Sequence, residues 1–181
     1  LFEVAGEPYA SVAKFLLFTG IRWGEYLALE WDHHVRLTGR ARLQFIAPKT
    51  KKERSVYLNA EALTILYQWR QRTGGTKHVG PWRPRNPNSV FRRLGREIGF
   101  HISPHLFRHT FGNLYCDNGG QTEALQVIFG HASLKTTERY RRPGARFAQA
   151  DFDANFDGLT LDNVTRNVTT TDDSRPESRE A

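Results

Sequence analysis

A histidine and an arginine stand three residues apart in Ser103-Pro104-His105-Leu106-Phe107-Arg108-His109-Thr110-Phe111-Gly112. Serine followed by proline is a strong helix start, cap then first position, and the helix is predicted to run to about Asp117. At ~100° per residue, Phe107, Thr110, Phe111 and Leu114 fall on one side as a core stripe, and His105, Arg108, His109 and Gly112 fall on the other. Backbone N–H groups of a helix N-terminus, a guanidinium fork and an imidazole then converge, which is chemistry suited to an anion. A solvated polar face is the bland reading of the same residues. Metal binding fits poorly. His105 and His109 are at i, i+4, but the zinc-protease helix needs a glutamate where Leu106 stands, and no Cys or carboxylate cluster completes a shell. No metal or other cofactor is expected.

Three further stretches carry candidate groups. In Thr19-Gly20-Ile21-Arg22-Trp23-Gly24-Glu25, Arg22 follows a glycine turn at a helix start with Glu25 one turn on; an exposed Arg–Glu pair is the ordinary account. Pro48-Lys49-Thr50-Lys51-Lys52-Glu53-Arg54 reads as a basic β-turn, commonly no more than a charged hairpin tip. Gly130-His131-Ala132-Ser133-Leu134-Lys135-Thr136-Thr137-Glu138-Arg139-Tyr140 ends in a tyrosine that, taken alone, would be read as core or surface.

The elements that must position these groups are mostly helical. Pro8 to Thr19 is predicted as a helix with Val12, Phe15 and Leu16 buried and Gly20 as its stop, and Arg22 to Glu30 as a second with Tyr26, Leu27 and Leu29 inward. Alternation at Leu43, Phe45 and Ala47 and again at Val56 and Leu58 predicts two short antiparallel strands joined by the Pro48–Lys52 turn. Asn59 should cap a helix from Ala60 to about Arg72, with Leu63, Leu66 and Tyr67 on one face, ended by Gly74-Gly75. A Pro/Gly-rich loop precedes a basic helix reaching about Ile98, and short helices are predicted near Thr122–Phe129 and Leu134–Arg139. The fold class is mainly α with a small antiparallel β-sheet (α+β).

The 181 residues suffice for one domain, with 39% hydrophobic and 25% charged residues, the balance of a globular core. No apolar run approaches the ~20 residues of a membrane span. The single cysteine, Cys116, excludes an internal disulfide and favours a reducing compartment, the cytoplasm. With no methionine, even at position 1, the chain is expected to be a piece of a longer protein. Its net charge of +7 is uneven: eight acids and three arginines lie from Asp151 onward, leaving 23 basic against 11 acidic residues, a net +12, in residues 1–150. Such a body favours a polyanionic partner, nucleic acid ahead of a membrane surface. Residues 151–181 are acidic, polar and threonine-rich, and most of them are expected to be disordered or to dock in cis or trans.

Each motif is weak alone, but their order and spacing closely resemble the catalytic domain of the tyrosine recombinases, the phage-integrase family of site-specific DNA strand transferases. The resemblance covers roughly Pro8 to Arg142. The first box, Thr-Gly-hydrophobic-Arg-x-x-Glu with a following Leu-x-Trp, is Thr19 to Trp31; the His-x-x-Arg-His-Thr-Phe box is His105 to Phe111; the closing Gly-His, with its tyrosine nine residues on, is Gly130-His131 and Tyr140. The family's hairpin lysine maps to Lys49, given the trailing Lys52-Glu53-Arg54, with Lys51 and Lys52 as fallbacks. Leu106 stands where aspartate is common and Phe129 where leucine is usual; both read as changes in packing or in the residues behind the catalytic groups, and neither removes a catalytic group.

The resemblance implies attack by the Tyr140 phenolate on a DNA phosphodiester, giving a 3′-phosphotyrosyl enzyme and a free 5′-hydroxyl without metal or ATP. Arg22 and Arg108 would clamp the non-bridging oxygens, Lys49 would protonate the leaving oxygen, His105 would handle the tyrosine's proton and His131 would donate to the phosphate, with Glu25 and His109 supporting them. Arg83, Arg85, Arg92, Arg93 and Arg96 are expected to contact DNA backbone. The resemblance further implies double-stranded DNA as partner, a tetramer of the full-length protein on it, a tail that couples active sites, a helical N-terminal clamp domain absent from this chain, and a nucleoid-associated location. A type IB topoisomerase-like enzyme or an inactive DNA-binding module are the alternatives.

Overall fold

The computed structural model describes residues 1–46, 53–74 and 76–140, the Arg139 side chain excepted. The Pro48–Lys52 turn, with Lys49, and residues 151–181 lie outside the described residues. In chain order the elements are α1 (Phe2–Ala5), α2 (Tyr9–Thr19), α3 (Trp23–Ala28), α4 (Trp31–His34), β1 (Val35–Arg36), β2 (Arg42–Ile46), β3 (Glu53–Tyr57), α5 (Ala60–Thr73), α6 (Asn88–Ile98), α7 (Pro104–Asp117) and α8 (Thr122–Phe129). Two 3₁₀ turns follow, Leu134–Thr136 and Glu138–Tyr140. The expected α+β class is observed.

Local chemistry sets most boundaries. Gly20 ends α2 in the left-handed conformation at φ 62° and donates its N–H to the Leu16 carbonyl. The Asn59 side chain accepts from the Ala62 N–H at 2.9 Å, and the Ser103 hydroxyl accepts from the Leu106 N–H at 3.3 Å, so both expected caps form. The segment expected as one helix from Arg22 to Glu30 is instead α3 followed by an extended Leu29–Glu30, with α4 beginning at Trp31. Glu30 bridges to His78 and the Val79 N–H bonds to the Leu29 carbonyl, so pairing with a distant strand-like segment draws these residues out of the helix. The sheet has three strands in the order β1-β2-β3, both pairs antiparallel, with Phe45 opposite Arg54.

The core is a single apolar cluster around α2, whose Val12, Phe15, Leu16 and Phe18 are fully buried between α7 and α5. On α5 the inward face is Ala62, Ile65, Leu66 and Trp69, not the expected Leu63–Leu66–Tyr67 stripe; Tyr67 is 54% exposed. Trp69 decides the phase, because its indole packs at a tilt against Phe15, centroids 4.9 Å apart, and its N–H reaches the Ser11 hydroxyl at 3.1 Å. Trp23, Tyr26, Trp82, Phe91 and Phe107 form an aromatic chain joining α3, the Pro/Gly loop, α6 and α7. Among the described residues no helix is long and apolar enough to cross a membrane.

Candidate active site

The ends of α2 and α8, the start of α3 and one face of α7 meet at Arg108. This face of α7 is not solvated. Arg108 is only 4% exposed, because α8 and the last 3₁₀ turn cover it. Its Nη1 donates to the Gly20 carbonyl at 2.6 Å and its Nη2 to the Phe129 carbonyl at 2.8 Å. Its guanidinium carbon lies 3.8 Å from the centroid of the Phe129 ring, a cation–π contact. Phe129, read from sequence as a packing change, is thus the surface on which the arginine lies. Burial first, then the neighbouring Arg22 charge, pull Arg108 down to about 9, with Glu25 opposing; it stays a cation at neutral pH.

Nη2 of Arg108 also lies 3.3 Å from His131 Nε2, while His131 Nδ1 lies 2.8 Å from the hydroxyl of the fully buried Thr137. A guanidinium only donates, so Nε2 accepts there and the ring proton is on Nδ1, directed at Thr137. Thr137 fixes this imidazole through a hydroxyl that can accept or donate.

Tyr140 is 7% exposed, and its ring packs against α7 at Gly112. A Cβ on Gly112 would fall 2.8 Å from Tyr140 Cε1, so only glycine seats the ring there. The Tyr140 hydroxyl is 2.6 Å from His109 Nδ1. His105, the residue expected beside this hydroxyl, is exposed and meets the His109 ring edge-on, centroids 4.5 Å apart. The charge of an ionised Tyr140 acts on Arg108, which therefore favours the phenolate in return.

Arg22 stands at the N-cap of α3, exposed. Its backbone N–H donates to Glu25 Oε2 at 2.8 Å and its Nη1 to Oε1 at 2.9 Å. The same Oε1 is 2.5 Å from Nη2 of Arg54 on β3. Burial pushes the Glu25 carboxyl up, but the Arg54 charge and contact, with Arg22, outweigh it and hold the group below its ordinary value. Arg22, Glu25, Arg108, His131, His109 and Tyr140 are therefore brought to one site, with His105 at its edge. Lys49 lies outside the described residues. Read from sequence, Thr137 and Arg54 have no role, and Gly112 and Phe129 are marked without any sign that one seats Tyr140 and the other carries Arg108. For Gly112 the visible signal is a glycine inside a strong helix.

Arg83, Arg85, Arg92, Arg93 and Arg96 are all exposed. Arg83 donates to the Leu27 carbonyl, Arg92 to the Asn88 carbonyl at 3.3 Å, and Arg93 pairs with Glu97 at 3.9 Å. Arg92 and Arg96 line an open groove with Phe100 and His101. Among the described residues no group of three His, Cys, Asp or Glu side chains is placed to hold a metal ion.

The family model described as phage integrase family matches residues 3–146. Tyrosine recombinase XerC of Xylella fastidiosa (strain M23) is 27% identical over 154 residues, covering 80% of this chain and 51% of its own length. The crystal structure of XerA recombinase is similar over 97% of this chain and 62% of its own, at 25% identity and a TM-score of 0.64. XerH site-specific recombinase, solved bound to difH substrate in a pre-cleavage complex, matches 80% of this chain and 44% of its own, at 22% identity and a TM-score of 0.59, a likeness of fold. The chain spans about half the length of the curated relatives it matches.

Proposed function

The chain belongs to the phage integrase family, and on that footing we propose that it is the strand-transferring part of a site-specific DNA recombinase. Residues 1–150 form the catalytic unit; residues 151–181 are an acidic tail that couples protomers in a tetramer on double-stranded DNA. The protein acts in the cytoplasm at the nucleoid, moving or resolving DNA elements.

The observation that carries this reading is the Tyr140 hydroxyl 2.6 Å from His109 Nδ1, beside the buried cation of Arg108. An ordinary phenol is only about a thousandth ionised at pH 7, a deficit of roughly 4 kcal/mol. His109 takes the proton at Nδ1 while Arg108 favours the phenolate, and His105 lies next to His109 to pass the proton outward. The phenolate attacks phosphorus in line. Arg22 and the N–H groups that Arg108 does not spend on carbonyls hold the non-bridging oxygens, which gain negative charge in the transition state. His131 joins them after its ring proton is exchanged through solvent from Nδ1 to Nε2: the Thr137 hydroxyl then turns to donate to the bare Nδ1, and Nε2–H, released from Arg108, donates to the phosphate. The 5′-oxygen leaves with a proton from Lys49, and the tyrosine–phosphate bond retains the energy for rejoining. Arginine cations do the charge neutralisation, so neither metal nor ATP is needed.

The test is covalent trapping. The chain is incubated in EDTA with random-sequence plasmid and nicked suicide duplexes, denatured, and probed for protein-linked DNA beside Tyr140→Phe. A 3′-linked adduct that Tyr140→Phe lacks is expected, and sequencing the trapped ends gives the site. Equal labelling by Tyr140→Phe would refute the reading.

A further inference from the structure

Arg54 is the least explained charge near the site. Its side chain is 10% exposed, although it lies on a strand of a small sheet. Four contacts hold it. Its guanidinium carbon is 4.6 Å from the Phe45 ring centroid, its Nη1 donates to the Ile128 carbonyl at 3.0 Å, and its Nη2 touches Glu25 Oε1. Its stem also fills the space over Gly130, where a Cβ would fall 2.6 Å from Arg54 Cδ and Nε. One side chain thus connects the start of α3, which carries Arg22, with the end of α8, which leads into His131.

Glu25 Oε1 is shared by two guanidiniums, Arg22 at 2.9 Å and Arg54 at 2.5 Å. A carboxylate left with Arg22 alone would bind its whole fork, since a bidentate pair is the preferred geometry. With Oε2 held by the Arg22 backbone N–H and Arg54 drawing on Oε1, the Arg22 side chain gives one N–H to Glu25 and keeps the rest of its fork for another anion. We propose that Arg54 is a positioning residue: by sharing Glu25 it keeps Arg22 aimed at the scissile phosphate. The proposal rests on the strand-transfer reading above and deepens it. It differs from a simple buried strut in one respect, because it makes Glu25 harmful once Arg54 is gone.

The experiment measures single-turnover adduct formation on a nicked duplex bearing the site recovered by trapping, with urea unfolding in parallel. Arg54→Met, which keeps the stem over Phe45 and Gly130, should slow cleavage about 10- to 100-fold, the scale of a misplaced clamp. Adding Glu25→Gln to it should recover at least about threefold by releasing Arg22. Duplexes with a methylphosphonate at the cleaved position add a second readout. Replacing the oxygen that faces Arg22 should shrink the Arg54→Met deficit as it shrinks that of Arg22→Ala, while the other diastereomer should not. Arg54→Lys, which retains the charge at Glu25, should stay within about fivefold of wild type; it decides the matter if Arg54→Met does not unfold cooperatively. Additive losses in the double variant, equal deficits on both diastereomers, or an Arg54→Lys as slow as Arg54→Met would each overturn the proposal. A wild-type chain without a Tyr140-dependent adduct would instead overturn the strand-transfer reading, and this proposal with it.

Discussion

Gly112→Ala separates the seating of Tyr140 from the stability of the fold. Gly112 lies inside α7 with no positive φ, so the backbone accepts alanine there. In a helix interior that exchange alone favours folding by about 1 kcal/mol. The new methyl, however, falls 2.8 Å from Tyr140 Cε1 and 3.0 Å from Cδ1 and Cζ. Carbon atoms rest at about 3.5–4.0 Å, so the ring must retreat by roughly 0.5–1 Å. Its hydroxyl is held at 2.6 Å by His109, so that retreat breaks the alignment between proton acceptor, oxygen and phosphorus. A displacement near 1 Å costs about 100-fold in rate. Single-turnover adduct formation should therefore fall roughly 100-fold, while the urea midpoint stays within the range set by a gain of up to about 1 kcal/mol and the cost of moving one ring. An alanine variant that cleaves at the wild-type rate with unchanged stability would show that the ring does not react from this seat, and the reasoning would fail.

Other expectations follow from the same contacts. His109→Ala should slow cleavage more than His105→Ala, because His109 touches the hydroxyl; the two variants compared at saturating DNA decide this, and the reverse order would restore His105 as first acceptor. Thr137→Val removes a hydroxyl bonded to His131 and should slow cleavage about tenfold, roughly one hydrogen bond's worth, with Thr137→Ser near wild type. Because the Glu25 carboxyl titrates below its ordinary 4.5, it contributes stability that is present above that pH and lost as pH falls through its lower folded value. The urea midpoint of Glu25→Gln should accordingly vary less below about pH 4.5 than that of wild type. Arg96→Gln should weaken DNA binding uniformly across sequences and reduce the slope of log affinity against log salt by about 1; an unchanged slope would remove Arg96 from the contact surface.

What could be read in the sequence was whatever is decided within a few residues. Ser103, Asn59 and Gly20 cap their helices through bonds reaching three or four positions, and those boundaries were foreseen. The composite of Arg22, the His105–Phe111 box, His131 and Tyr140 was visible because a motif preserves spacing even where its parts look ordinary. What was hidden depends on partners far along the chain. Leu29 and Glu30 leave the helix because they pair near His78 and Val79; the face of α5 turns on a Trp69–Ser11 bond spanning 58 residues. Periodicity marked one side of α7 as polar and could not say that α8 would close over it, burying Arg108. Arg54 looked like a hairpin tip because its partners, Glu25 and Ile128, are 29 and 74 residues away.

The two carbonyls that hold Arg108 belong to Gly20 and Phe129, which close α2 and α8. Helices carry the equivalent of roughly half a negative charge at their C-terminal ends, so two such poles converge on one buried cation. The residue proposed to grip the phosphate is also what lets these two helix ends approach each other without solvent. Arg108 therefore cannot be discarded as cheaply as a nucleophile can. A descendant of this fold that gave up cutting DNA and kept only binding would be expected to lose Tyr140 or His109 first and to retain Arg108, so the arginine's presence in a relative testifies to the architecture, and the tyrosine's to the chemistry.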